Sequence, residues 1–455
     1  MRAMISNRLS RWTLTFFACA LLNFLAAQAL MLSGLAWPMQ SAAAPGTLIA
    51  VHLLTIGWLL LLMLGALFQF IPVITSKPLP SQPLALATLI AIQVGLIGML
   101  CGFAALGLDL PWLVRCLPVG GALVIIGVLL ACYDIGMPLL QARPMPLPAR
   151  MVLTGLAFLL VTVTLGLTFA LALSVPTLAP DLAPLLAVGV GYHALAGLGG
   201  WFTLTAMGVS YKLLPMFMLA PEERGRAGEA VHQLMATGFG LAVLAGLLRV
   251  WSASPALAVL EDIGYVCAVI GTGVYLWDVA RIYRTRKRAA IELHNKAAVG
   301  AFILLGITML LGIALRISSV LTTYMPVFVF LVMFGWLSGL GLTQLYKIVP
   351  FLSWLGHFGQ KLGRGPVPRV QDLVNEGHSY PWFVIYFVGV VLAAIAVLGP
   401  DFYIFRAGLG LSALATLGLI FEYWRAWRGY YAQHAAPGPT LPPFLNHPGI
   451  SSGQH

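Results

Sequence analysis

The sequence predicts an all-α membrane protein with twelve transmembrane helices, arranged as three four-helix arcs with pseudo-threefold symmetry. Three observations predict this class. The chain of 455 residues is 60% hydrophobic and only 9% charged. It is a near-continuous series of apolar runs, each close to the roughly 20 residues that cross a bilayer. A sequence motif also recurs in every fourth run. We therefore expect one polytopic membrane domain whose main solvent is lipid.

The apolar runs set the positions of the twelve spans. They lie at about residues 13–36, 47–71, 84–107, 114–134, 151–175, 185–212, 231–250, 257–280, 297–319, 326–349, 381–398 and 405–425. An even number of spans places both termini on the same side of the membrane.

The basic residues indicate which side that is. If both termini are cytoplasmic, Lys and Arg gather at the cytoplasmic ends of the spans, except Arg115, Arg249, Arg316 and Arg406. The densest cluster, Arg281–Arg288, joins spans eight and nine. This pattern predicts a bacterial-type inner membrane protein with cytoplasmic termini, including a cytoplasmic tail at 431–455.

The net charge of +11 raises the question of an anionic partner. The basic residues are dispersed over short loops, without a soluble basic domain, which argues against nucleic acid. Attraction to anionic lipid headgroups explains the charge better.

The recurring motif is found in spans two, six and ten. It reads GWLLLLMLGALFQFIP (57–72), GWFTLTAMGVSYKLLP (200–215) and GWLSGLGLTQLYKIVP (335–350). Each copy has Gly-Trp, an aromatic residue eleven positions after the Gly and a Pro at the exit of the span. Any one of these features alone fits helix packing or an interface anchor. Their recurrence at identical offsets predicts three repeats, at about 1–150, 151–290 and 291–430.

Residues that differ between the three copies of the repeat are candidates for a functional role. His52 lies twenty residues before Pro72, and His193 lies twenty-two before Pro215, so both fall in the outer halves of equivalent spans. The corresponding places before Pro350 hold Phe330 and Phe328. An ionisable side chain inside a span is costly, and neutral imidazole is a good ligand for iron or copper. We predict a heme or metal role for this pair, the alternative being hydrogen bonds between helices.

Other polar residues are weighed beside this pair. Arg249, Arg316 and Arg406 close or open spans on the same outer side, where Arg could bind the carboxylates of heme propionates or simply flank the spans. The other seven histidines fall at or beyond span ends and are expected to be solvated. They are His232, His294, His357, His378, His434, His447 and His455.

Together, the twelve spans, the repeat and the two outer histidines resemble subunit I of the heme-copper oxidase superfamily. The segments GVSYKLLPMF and LYKIVPF look more like divergent members near the cbb3-type oxidases and NnrS-like proteins. The resemblance implies heme as cofactor, with His52 as an axial ligand and His193 in the place of a copper ligand. It also implies Arg406 near the propionates, and a redox partner such as a cytochrome c or cupredoxin on the outer face.

The resemblance is incomplete at the metal ligands. Phe328 and Phe330 stand where the family's tenth helix supplies two axial histidines. Span seven ends in LAGLLRVW, with Arg249 where the family has a histidine pair. Standard oxygen reduction is therefore not expected.

Three functions follow from these observations. The first is a heme-binding membrane protein in electron transfer, gas binding or respiratory and nitrogen-oxide stress. The second is a transporter or scaffold subunit on the same helices without redox cofactors. The third is a terminal oxidase or nitric-oxide reductase with a rebuilt ligand set.

Overall fold

A computed structural model describes residues 7–108, 110–221, 225–362, 366–399 and 401–431. Over these residues the chain is helical, without strands, and twelve helices are long and apolar enough to cross a membrane. The number of spans predicted from the sequence is thus confirmed. The predicted tail lies outside the described residues after residue 431.

The helices are numbered in chain order. They are α1 Leu9–Ser33, α2 Pro45–Thr75, α3 Gln82–Leu108, α4 Pro111–Gln141, α5 Leu147–Ser174, α6 Ala179–Met218, α7 Arg226–Leu248, α8 Pro255–Thr285, α9 Leu293–Ile317, α10 Leu321–Lys361, α11 Glu376–Leu398 and α12 Phe402–Trp427. We call the end carrying Arg281–Arg288 the basic end and the other the outer end. Each even-numbered helix runs toward the basic end.

Helices α2, α6 and α10 are longer than the sequence predicts. The motif prolines were expected at the exits of their spans, but Pro72, Pro215 and Pro350 all lie inside continuous helix. A proline removes one backbone donor, and transmembrane helices tolerate this because neighbouring groups satisfy the freed carbonyl. The spans were predicted too short because the hydrophobicity of the sequence falls before each helix ends.

The same three helices share a feature that the sequence did not predict. Each switches to π-helical hydrogen bonding for about two turns, at Leu53–Leu60, Leu195–Thr203 and Leu331–Ser338. Each π segment contains the Gly-Trp pair of the motif, and all three tryptophan side chains are fully buried. Such π segments are rare and occur frequently at functional sites.

Glycines set the packing of the last two helices in each repeat. Helix α3 crosses α4 where Gly95 meets Gly120, and a β-carbon on either would lie 2.5–2.8 Å from backbone of the other helix. The crossings of α7 with α8 and of α11 with α12 are built in the same way. They use the pairs Gly238–Gly264 and Gly389–Gly408. Small residues let transmembrane backbones approach this closely, so the crossings recur where the repeat predicts them.

A buried carboxylate follows each crossing. Asp134, Asp278 and Glu422 each lie fourteen residues after the crossing glycine of α4, α8 or α12, and their exposed fractions are 0%, 0% and 4%. Their contacts differ. Asp134 accepts a hydrogen bond from the backbone of Ser81, whereas Asp278 accepts one from Tyr211. The same spacing between a crossing glycine and a buried carboxylate therefore recurs in α4, α8 and α12.

The motif helices meet one another in the interior. The π segment of α10 packs against those of α2 and α6. The indole of Trp58 donates a hydrogen bond to the hydroxyl of Ser338 at 2.8 Å, which ties α2 to α10. Below these segments, towards the basic end, all three helices line a common cavity.

Candidate functional site

His52 lies in the outer half of α2, at the last residue before the π segment. Its Nδ1 is 2.7 Å from the carbonyl oxygen of Leu48, one turn earlier. Because a carbonyl only accepts, Nδ1 carries the proton and Nε2 keeps its lone pair. The ring packs on Phe103 of α3, with centroids 4.7 Å apart.

His193 lies at a similar place on α6, two residues before the π segment of that helix. Its Nδ1 is 2.9 Å from the carbonyl oxygen of Thr162 on α5, so again Nε2 retains the lone pair. The ring meets the edge of Phe169 at 5.7 Å. It also lies close to Gly166, where a β-carbon would come within 3.1 Å of the ring.

The segments that carry the two histidines pack on different neighbours. Pro45–His52 packs against α1 and α3, and Ala179–Ala194 packs against α5 and α7. Both imidazoles are half-buried. The structure thus places the two histidines at corresponding points of α2 and α6, each just before a π segment and each against its own neighbouring helices.

The two α10 positions that correspond to the histidines by the repeat are filled by hydrophobic packing. Phe330 is 1% exposed and stacks on Phe334 with centroids 4.6 Å apart. Trp37 and Phe405 pack against it at 5.9 Å each. Phe328 is half-buried and lies against Gly312 of α9. These side chains have no donor for a metal.

The outer arginines already have partners within the chain. Arg249 donates to Glu261 at 2.7 Å, and this hydrogen bond raises the pKa of the arginine above its ordinary value. Arg316 donates to Asp262 at 2.8 Å, both side chains being more than half exposed. Arg406 donates through Nε to the carbonyl oxygen of Leu32 and lies over the ring of Phe402. Whether any of them meets a propionate remains a prediction.

Sequence reasoning missed a buried carboxylate and its three hydrogen-bond donors beside His193. Glu261 of α8 is 8% exposed and accepts hydrogen bonds from Tyr192, Tyr265 and Arg249. A β-carbon at Gly246 would overlap the ring of Tyr192, so α7 needs a glycine there to admit it. The signal available in the sequence was the position of Tyr192, directly before His193.

One of the histidines that were expected to be solvated is buried. His294 is 1% exposed, packs edge-on against Phe217 and contacts Glu292 at 3.5 Å. The prediction was wrong for His294 because Phe217 and the 370–373 segment cover it. His232 is half-buried and pairs with Thr154 at 3.0 Å.

Among the residues that the structure describes, no group of three or more His, Cys, Asp or Glu side chains could hold a metal ion. Comparison with known protein families found no match, and comparison with curated proteins found no similar sequence.

Proposed function

We propose that this chain is an integral membrane protein that binds heme through His52 and His193. It would serve electron transfer, gas binding or respiratory and nitrogen-oxide stress rather than standard oxygen reduction. One observation carries the proposal. Both rings give their Nδ1 proton to a backbone carbonyl and leave Nε2 unprotonated, which is the tautomer that binds a metal and the orienting contact typical of ligating histidines.

The residues around the pair fit such a group. The rings are half-buried within a helix bundle, and the backbone that follows each of them is π-helical. A bound heme would supply one-electron redox chemistry and, if only one of the two histidines ligated the iron, a coordination position for a small gas. The chain's own contribution is to fix the ring orientation through Leu48 and Thr162.

Apolar neighbours have a second role in the proposed site. Phe103 and Phe169 are buried against the two rings, so they exclude water from one side of each imidazole. A dry environment of this kind is one of the properties that tune a metal's potential. Among the outer arginines, Arg249 is linked to the helix of His193 through Glu261 and Tyr192. We propose it as the first candidate for a propionate contact.

The proposal includes the finer architecture. We propose that the three repeats form three arcs about a pseudo-threefold axis, as in heme-copper oxidase subunit I. The recurring glycine crossings, the matching π segments and the shared central cavity support it. We further propose that the basic end faces the cytoplasm of a bacterial-type inner membrane, since the positive-inside pattern favours this side. An electron-transfer partner would then approach the outer end.

A reduced-minus-oxidised absorption spectrum of purified protein, with iron and copper analysis, tests the proposal. We expect a heme spectrum that is lost in His52→Ala and His193→Ala. His357→Ala is a matched control, because His357 makes the same Nδ1 contact to a carbonyl one turn earlier, at 2.8 Å from Ser353, but at the basic end. Well-folded, cofactor-replete protein without heme or metal would refute the proposal.

A second candidate is a transporter or scaffold subunit that kept the helices and lost the cofactor. Phe328 and Phe330, which stand where the resemblance would place two axial histidines, favour it. Replacing both outer histidines by Ala would then leave the protein's activity unchanged. The third candidate, an oxidase or nitric-oxide reductase with a rebuilt ligand set, requires oxygen or nitric-oxide consumption by the isolated protein.

A further inference from the structure

A cavity of about 90 Å³ lies between α2, α6 and α10, on the basic-end side of the buried tryptophans. Each helix lines it with the same four positions of the motif, which lie thirteen, nine, six and two residues before the proline. These spacings of four, three and four residues place all four side chains on one helix face. The twelve residues are Leu59, Met63, Ala66, Phe70, Phe202, Ala206, Val209, Leu213, Leu337, Gly341, Gln344 and Ile348. We call this space the central chamber.

The four positions form four layers of different size. The layers at the two ends are bulky, with Leu, Phe and Leu next to the tryptophans and Phe, Leu and Ile toward the basic end. The two middle layers contain Met63, Ala206 and Gly341, and then Ala66, Val209 and Gln344. Ala66, Ala206 and Gly341 in the middle layers therefore leave the space between the two bulky end layers.

The lining is almost entirely apolar. Ser210, which also borders the chamber, already donates to the carbonyl of Met207 and shares a hydrogen bond with Tyr275, both at 2.7 Å. In the middle layers Gln344 is the single polar residue, and its side-chain oxygen is buried without a hydrogen-bond partner. An ordered water needs two to four polar partners, so at most the region beside Gln344 can hold one.

The chamber is nevertheless large for a packed interior. By the same measure about 10–15 Å³ suffices for one water, and apolar cavities with too few polar groups stay dry and take up apolar ligands such as xenon. Protein interiors are otherwise close-packed, which makes a retained space between three equivalent helices notable. Its position is separate from the two histidines in the outer half.

We propose that the central chamber is a binding site for a small molecule of low polarity that carries one hydrogen-bond donor, which the side-chain oxygen of Gln344 would accept. The ligand class follows from the apolar layers, the volume of about 90 Å³ and the unpartnered oxygen of Gln344. The proposal does not depend on heme, so each can fail without the other.

Xenon is the probe for this site. Full-length protein is crystallised and pressurised with xenon, and the atom is located by its anomalous scattering. We expect one site between Met63, Ala66 and Gly341. Ala66→Leu and Ala206→Leu, which fill a middle layer from two different helices, should each abolish it. Ala87→Leu makes the same change at an exposed position on α3 and should leave xenon bound.

Other results would overturn the proposal. Ordered waters filling the chamber, or an acyl chain threaded between the helices, would show a different occupant. Xenon bound elsewhere while the chamber of the unmodified protein stays empty would exclude the site, even if one filling variant failed to fold. Loss of xenon in Ala87→Leu would show that the effect is not local.

Discussion

The hydroxyl of Tyr192 donates a hydrogen bond to the carboxylate of Glu261 at 2.8 Å, and it does so from the residue next to His193. This contact fastens the outer part of α6 to α8. The same carboxylate is also bound by Arg249 and Tyr265, so its position is fixed from three sides. The outer part of α6, which carries the proposed ligand His193, is therefore held by a carboxylate on α8.

We expect Tyr192→Phe to disturb the proposed heme site without removing a ligand. The change deletes one hydrogen bond to a buried carboxylate that keeps its other partners, at a cost of about 1–2 kcal/mol. Thermal unfolding in detergent should show this loss, and the heme absorption bands should shift. Tyr265→Phe removes a hydroxyl from the same oxygen, but that tyrosine lies on α8 itself. Equal spectral shifts in both variants would contradict a positioning role for Tyr192.

Phe330 is expected to have a structural role. Phe330→Ala removes a fully buried ring that stacks on Phe334 and meets Trp37 and Phe405. Truncations of this kind cost about 3–5 kcal/mol. Phe328→Ala, at a half-buried ring on the same helix, should cost clearly less. Unfolding midpoints of the two variants measure the difference, and a smaller loss for Phe330→Ala would show that the aromatic cluster is not tightly packed.

The sequence allowed the number of helices to be predicted, because hydropathy is a local property. The fixed offsets of the motif also pointed to the three helices that share π segments. The continuation of helix beyond Pro215 and the π segments could not be predicted, since both depend on how neighbouring helices satisfy freed backbone groups. Burial of His294 was missed for a related reason: Phe217 and the 370–373 segment cover it, and neither is adjacent in sequence. The partner of Arg249 likewise comes from another helix.

Tyr211 and Tyr346 occupy equivalent positions of the motif but differ in their hydrogen bonds. Tyr211 donates to Asp278 at 3.0 Å, whereas the hydroxyl of Tyr346 has no hydrogen bond of good geometry, although Ser379 is nearby. Tyr211→Phe leaves a buried carboxylate oxygen without its donor and should cost about 1–3 kcal/mol. Tyr346→Phe should be nearly neutral. Unfolding curves that show equal losses would mean that the Asp278 contact contributes nothing specific.

The ion pair at the basic end predicts a dependence of stability on pH. Burial alone would raise the pKa of Glu292, but the hydrogen bond from Lys347 at 2.5 Å and the charges of Lys347, His294 and Arg288 outweigh it, so the pKa lies below its ordinary value of about 4.5. The folded protein therefore binds this proton less readily than the unfolded chain does. Its contribution to stability is complete above about pH 4.5 and is lost as the pH falls through the lowered pKa.

We expect Glu292→Gln to remove this part of the acid sensitivity, because the amide does not titrate. Its free energy of unfolding should lie below that of the unmodified protein near neutral pH, and the gap should narrow as the pH falls below about 4.5. Lys347→Met should make the pKa of Glu292 more alike in the folded and unfolded states, since it removes the strongest of the interactions that lower the pKa. The pH range over which stability is lost should therefore become narrower. Unfolding in detergent, followed by circular dichroism over this pH range, measures both. If the free energy of unfolding of Glu292→Gln changed with pH as steeply as that of the unmodified protein, this carboxylate would not link pH to folding.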